Sequence, residues 1–258
     1  MSSKIPRTIC LFDVDGTLTK SRQNIDKDME EFLKDLQEKV SIGLVGGSDI
    51  EKIAEQMGGC GENEAQSSYD IVQKYDYVFA ENGLVAYKKG KLLASESILN
   101  YMGEEKLQKF INFCLYYMSQ LELPTKRGNF VEFRKGLINI SPVGRSCNQR
   151  ERDQFVVYDA QHKIREKFVE ALNGKFGQEF GLAFSIGGQI SIDAFPKGWD
   201  KTFCLQYLKN DFDRIYFFGD KTSPGGNDYE IYTDNRTIGY SVTSPDHTKQ
   251  ILSQLSFK

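Results

Sequence analysis

Apolar runs near the N-terminus alternate with stretches in which apolar residues recur every three or four positions. Thr8–Phe12 (TICLF) reads as a buried strand; Met29, Phe32, Leu33 and Leu36 lie at helical spacing within DKDMEEFLKDLQEK. SIGLVGGSD is then a second buried strand breaking into a loop, and Ile50, Ile53 and Met57 mark a short helix. Strand, helix, strand, helix in that order predicts a parallel sheet. From Trp199 the alternation returns. A helix carries Phe203, Leu205 and Leu208, the strand RIYFFGD follows, then a helix from about Asn227, the strand TIGYSV and a last helix opened by Pro245.

Between these parts the pattern changes. LVAYKKGKLLAS and FVEFRKGLINISP read as hairpins with glycine-containing turns, and two helical stripes run through Leu107, Phe110, Ile111, Cys114, Leu115, Met118 and through Ile164, Phe168, Val169, Leu172. The expectation is a discontinuous α/β core, residues 1–86 and 197–258, into which residues 87–196 insert as an α+β cap. The polar, glycine-rich stretch 58–70 (GGCGENEAQSSYD) is expected to be a mobile surface loop.

Composition adds exclusions. With 258 residues, 40% of them hydrophobic, the chain can bury a large core. Its 33 basic and 36 acidic residues are interspersed, so no basic tract favours nucleic acid or a membrane surface. Five widely spaced cysteines (Cys10, Cys60, Cys114, Cys147, Cys204) without a Cys-x-x-Cys pair read as reduced core thiols and argue against zinc. MSSKIPRT leads into the first strand without a signal-peptide core, and no apolar run has membrane-spanning length. A cytoplasmic location is expected.

The chemistry concentrates where the first strand ends, at Asp13 and Asp15. If the strand continues, alternation puts both carboxylates on one side, where they repel unless a cation or hydrogen-bond donors offset the charge. A hard divalent cation such as Mg²⁺ suits such oxygen ligands, and Asp220 in FFGDK offers a third carboxylate at a strand end. A capped turn using Asp15, Gly16 and Thr17 is the bland alternative; it leaves Asp13 without a purpose.

FDVDGTLT, VGGSD, WDK and GDKTSPGGND occur in the order of the motifs of the haloacid dehalogenase-like phosphotransferases. From end to end, through YDYVFAENGLVAYK, VEFRKGLINISPVGRSC, SIGGQISIDAFPKGWDK and IYFFGDKTSPGGNDYEIYTD, the chain resembles the eukaryotic-type phosphomannomutases. That resemblance implies a Rossmann-like core with a cap, Asp13 as the nucleophile that becomes an aspartyl phosphate, and Asp15 as general acid/base. It implies Mg²⁺ held by Asp13, the Asp15 carbonyl and Asp220, with Ser48 and Lys201 gripping the phosphate. Taken alone, Ser48 is as well explained as a helix N-cap and Lys201 as a solvated surface residue. Asn227 and Asp228 either cap a helix or support the metal ligands. A second cation at Tyr232, Asp234 and Thr237 is implied by the family, while a helix-ending turn explains those residues without one.

In the cap, Arg134, Arg145 and Arg152, joined by Arg22 from the core, are implied to hold a substrate phosphate, with Arg127 less securely placed. Arginine forks suit phosphate. Ser191 and Asp193, alternating on one strand face, and Gln189 are implied to meet sugar hydroxyls. The implied activity interconverts mannose 6-phosphate and mannose 1-phosphate through a hexose 1,6-bisphosphate (glucose or mannose), which also serves as activator, and supplies GDP-mannose for glycosylation. A homodimer through the cap, with exposed residues such as Phe130 at the contact, is the implied assembly. The alternatives are a lidded Mg²⁺-dependent sugar-phosphate phosphatase and a non-enzymatic scaffold.

Overall fold

β1 (Thr8–Phe12) is buried on both sides, which is why its sequence is a continuous apolar run. In the computed structural model, which describes residues 7–21, 23–58 and 64–257, the chain forms two compact units. One comprises the chain up to Ser95 and from Gly198 onward, the other Glu96–Lys197. In the first unit β1 is followed by α1 (Lys27–Gln37), β2 (Ser41–Val45), α2 (Ile50–Gln56), α3 (Glu64–Lys74), β3 (Tyr77–Ala80), β4 (Val85–Lys88) and β5 (Lys91–Ser95). The second unit contains α4 (Ile98–Met102), α5 (Glu104–Ser119), β6 (Val131–Phe133), β7 (Ile138–Ile140), α6 (Gln149–His162), α7 (Ile164–Phe176), β8 (Leu182–Gly187) and β9 (Ser191–Pro196). The chain then returns through β10 (Arg214–Gly219), α8 (Tyr229–Thr233), β11 (Ile238–Ser241) and α9 (Pro245–Gln254).

The core sheet runs β11-β10-β1-β2-β3-β4-β5, parallel from β11 to β3. Alternation in β1 sorts its residues between two layers. Cys10 and Phe12 face a cluster with Met29 and Leu33 of α1, Ile53 of α2, Ile71 of α3 and Leu252 of α9. Ile9 and Leu11 face Cys204, Leu205 and Leu208 on one side segment and Ile231 of α8. Caps fix the helix starts: Asp26 accepts from the Met29 amide, Asp49 from that of Lys52, and Ser244 from that of His247 ahead of Pro245.

Four expectations change. The LVAYKKGKLLAS hairpin belongs to the core, because β4 pairs antiparallel with β3 and extends the large sheet; the first boundary therefore falls at Ser95, not residue 86. A hairpin looks the same in sequence whether it extends a sheet or starts one. Of the expected 58–70 loop, residues 59–63, with Cys60, lie outside the described residues, while the part from Glu64 onward is α3, anchored by buried Ile71 and Val72. The segment carrying Phe203, Leu205 and Leu208 is a 3₁₀ helix, Lys201–Tyr207, opened by Asp200, which accepts from the Thr202 amide. The apolar pattern does not announce α6, since Phe155 is its single fully buried side chain.

The second unit is built on a four-stranded antiparallel sheet, β6-β7-β9-β8. α5 and α7 meet through Phe110 and Phe113 against Phe176 and through Tyr117 stacked on Phe168. Phe130 is half-buried, and the exposed aromatic of this strand region is Phe133. The cysteines at 10, 114, 147 and 204 are buried and free. No described helix is long and apolar enough to cross a membrane.

Candidate active site

The parallel register sets Phe12 beside Phe218, so the chain leaves β1 and β10 together and Asp13 and Asp220 emerge at adjacent carboxyl ends. The Asp13 amide donates to the Phe218 carbonyl at 2.9 Å, locking the two exits. β1 stops at Phe12, so strand alternation does not extend to Asp15. Its carboxylate accepts instead from Gln56 Nε2 at 3.2 Å, while Asp13 takes the side of the 3₁₀ segment. The turn that follows Asp15 needs Gly16: at φ +86° a Cβ there would lie 2.5 Å from Asp220 Oδ2.

Lys201, the first residue of the 3₁₀ segment, is fully buried and pairs with both Asp13 and Asp228. A solvated surface lysine is thereby ruled out. Asp228 is drawn in because the loop after β10 closes on itself: the Lys221 amide donates to Asp228 Oδ2 at 3.0 Å and the Asp228 amide to the Lys221 carbonyl at 3.2 Å. Asp228 does not cap α8, and Asn227 is exposed. One oxygen each from Asp13, Asp220 and Asp228 lies within 4.8 Å of the others.

Three carboxylates thus face one buried ammonium. Burial pushes the Asp13 carboxyl up, to about 6, against the pull of Lys201 and with the Asp228 and Asp220 charges adding to the rise. Burial also raises Asp220, with Asp228 contributing. For Lys201 burial favours the neutral form, but the Asp13 and Asp228 charges outweigh it and its pKa is raised. Asp220 Oδ1 is buried without a hydrogen-bond partner. A buried, unpartnered carboxylate oxygen in a negatively charged cluster fits a hard divalent cation. Titrating Mg²⁺ into metal-free protein is expected to raise its melting temperature, and Asp220→Asn to lose most of that rise. A flat titration of the native protein would remove Asp220 from this role.

Ser48 sits in the loop after β2, with its carbonyl accepting from the Glu81 amide at 2.8 Å; the N-cap of α2 is its neighbour Asp49. Near α8 the structure is a closed turn. Both Asp234 carboxylate oxygens accept from Arg236, and Thr237 Oγ1 donates to the Ile231 and Asp234 carbonyls. The Tyr232 carbonyl lies against Gly239, where a Cβ would come within 2.4 Å. These contacts account for Tyr232, Asp234 and Thr237 without a cation. Arg22 lies outside the described residues.

In the second unit Glu132 accepts from Arg134 Nε at 2.8 Å and is ion-paired with Arg145. The Arg134 hydrogen bond, helped by the charges of Arg134 and Arg145 and opposed by burial, holds the Glu132 carboxyl below its ordinary value. Arg152, on α6, donates to the carbonyls of Cys147 (2.9 Å) and Arg145 (2.7 Å), so it braces the loop that carries Arg145. Arg127 is paired with Glu151, whose side chain also completes the capping box with Asn148. Ser191 and Asp193 share a face of β9, and Gly187 lets the Asp193 carboxylate lean across, since a Cβ there would meet its Oδ2 at 2.8 Å. Gln189 is not on that face. It lies in the β8–β9 turn and bonds Asp153 and Gln149 of α6.

Sequence reasoning left out Gln56, Asn139 and Arg165. Arg165 pairs with Asp159 and donates to the carbonyls of Gly187, Gly188 and Ser191, fixing the β8–β9 turn.

A model of the eukaryotic phosphomannomutase family matches residues 29–258. Phosphomannomutase 1 of Homo sapiens is 56% identical over 252 residues, covering 97% of this chain and 93% of that one. Among solved structures, trehalose-6-phosphate phosphatase of Aspergillus fumigatus superposes with a TM-score of 0.63 at 13% identity, over 96% of this chain and 92% of that one. A haloacid dehalogenase-like hydrolase from Bacteroides thetaiotaomicron gives 0.53 at 14%, over 87% and 84%. At such identities these two structures establish the likeness of fold.

Proposed function

The chain belongs to the eukaryotic phosphomannomutase family, and on that footing we propose that it interconverts mannose 6-phosphate and mannose 1-phosphate through an aspartyl phosphate at Asp13. The observation that carries this reading is the buried set Asp13, Lys201, Asp228 and Asp220, with its unpartnered Asp220 oxygen, at the ends of β1 and β10.

An Asp13 oxygen attacks phosphorus; a P–O bond to Asp13 forms as the P–O bond to the sugar breaks. Asp15, held by Gln56, gives its proton to the departing sugar oxygen. In the return step Asp15 takes the proton from the incoming hydroxyl, which attacks the same phosphorus and frees Asp13. Lys201 keeps Asp13 oriented and offsets phosphoryl charge, with Ser48 as a further phosphate donor. Asp13 and Asp220, with the Asp15 carbonyl, would hold Mg²⁺, which neutralises negative charge on the transferring group.

A mutase needs a second phosphate grip, because its intermediate is a hexose 1,6-bisphosphate; Arg134 and Arg145, with Arg22 and Arg152, fit that requirement. The bisphosphate also primes Asp13, so glucose or mannose 1,6-bisphosphate acts as activator. We place the enzyme in the cytoplasm as a homodimer through the cap, feeding GDP-mannose synthesis for glycosylation.

Phosphorus NMR of the protein with mannose 1-phosphate, Mg²⁺ and a trace of hexose 1,6-bisphosphate tests this. Mannose 6-phosphate is expected, with a rate that depends on the bisphosphate. Inorganic phosphate without isomer would replace the mutase by a phosphatase.

A further inference from the structure

Each strand of the cap sheet contributes one residue to a single polar row. Register pairs Glu132 of β6 with Asn139 of β7, Asn139 with Asp193 of β9, and Asp193 with Ser185 of β8, so all four project from one face. The next row, Phe133, Ile138, Ala194 and Phe184, takes the opposite face, where Phe184 stacks on Phe110 of α5. One side of the sheet therefore packs on helices, and the other gathers the arginines.

Asn139 sits mid-row and is 3% exposed. Its amide is used at both ends with opposite polarity. Nδ2 donates to Asp193 Oδ1 at 2.6 Å, and Oδ1 accepts from Arg145 Nη1 at 2.9 Å. Only one amide orientation satisfies both, since a carboxylate cannot donate nor a guanidinium accept. With Nη1 bonded to Asn139 and the guanidinium ion-paired with Glu132, Arg145 is held by two partners of the same row. Asp at this position would repel Asp193, and Leu would leave two charged partners unmatched in a half-buried setting.

We infer that Asn139 is a positioning residue that sets Arg145 and Asp193 at a fixed spacing, so that the cap reads a phosphate and a sugar hydroxyl together. This rests on the reading of Arg145 and Asp193 as phosphosugar ligands given above. Its consequence is selective. Disturbing Asn139 weakens the hold on a sugar phosphate while leaving phosphoryl transfer at Asp13 intact for a donor with no sugar to be read.

Asn139→Leu removes both bonds, and Asn139→Asp keeps acceptance from Arg145 but sets a second carboxylate against Asp193. For both full-length variants, kcat and KM are measured on mannose 1-phosphate at saturating bisphosphate, alongside turnover of acetyl phosphate and the melting temperature. KM is expected to rise roughly 10- to 100-fold, the range for an unmatched bond to a charged group, with kcat within about threefold and acetyl phosphate turnover unchanged. KM within about twofold of native in both variants overturns the inference. So does a parallel loss on acetyl phosphate, which marks a general defect of the fold. If Asn139→Leu does not fold, the near-isosteric Asn139→Asp decides by the same criteria. Native protein that leaves mannose 1-phosphate unconverted sinks the phosphosugar reading itself, before any variant is compared.

Discussion

Asp13→Asn is expected to reduce conversion of mannose 1-phosphate by roughly a thousand-fold or more, the scale seen when a nucleophile is removed, without unfolding the protein. An amide of nearly the same shape cannot form an acyl phosphate. The fold should tolerate it because the native carboxylate is held at a cost: burial and the charges of Asp228 and Asp220 raise Asp13 above its ordinary value despite Lys201. A carboxyl raised on folding favours its protonated form, so the ionised group at neutral pH subtracts stability, and a neutral amide removes that penalty. Lys201 keeps Asp228 as partner. In metal-free buffer the variant should therefore melt at the native temperature or a few degrees above it. Retained turnover would remove Asp13 as nucleophile, and a lowered melting temperature would mean that the Asp13–Lys201 contact stabilises more than burial costs.

Much of the core was legible because its elements follow local rules. β1, β2 and β10 are buried on both faces and so read as continuous apolar runs, while α1 shows a clean stripe between an Asp cap and a polar outer face. The misreadings come from pairings that sequence does not encode locally. Nothing in LVAYKKGKLLAS says that its first strand docks on β3. α6 has little apolar stripe to detect, yet Asn148 and Glu151 spell a capping box, and that signal would have found it.

The site divides along the same line. Asp13, Asp15 and Asp220 announce themselves because a carboxylate close after an apolar strand is conspicuous, whereas Lys201 is marked by motif order alone. Asp228 depends on the closure of the 221–228 loop, and Gln56 on α2 crossing to the turn after β1. Asn139 is marked only by alternation within INI, and its partner Asp193 lies 54 residues away. Strand register, not composition, turns those two into neighbours.

Lys201→Met is expected to be the most damaging single change to stability. It removes the ammonium buried among Asp13, Asp228 and Asp220, and taking one partner from a buried ion pair typically costs about 3–5 kcal/mol. For a protein of this size that corresponds to a fall on the order of 10 °C in the melting transition of the core unit. Two comparisons give the charge argument its direction. Mg²⁺ should recover part of the loss, since it returns positive charge to the same carboxylates. Lys201→Met combined with Asp228→Leu should recover more, because the double change deletes an anion with the cation, while activity stays low without the phosphate-facing ammonium. The readout is calorimetry in chelator, then in Mg²⁺, on the native, single and double variants. A single variant melting within about a degree of native would show that the three carboxylates share protons instead of needing Lys201, and the buried cation would then serve the reaction alone.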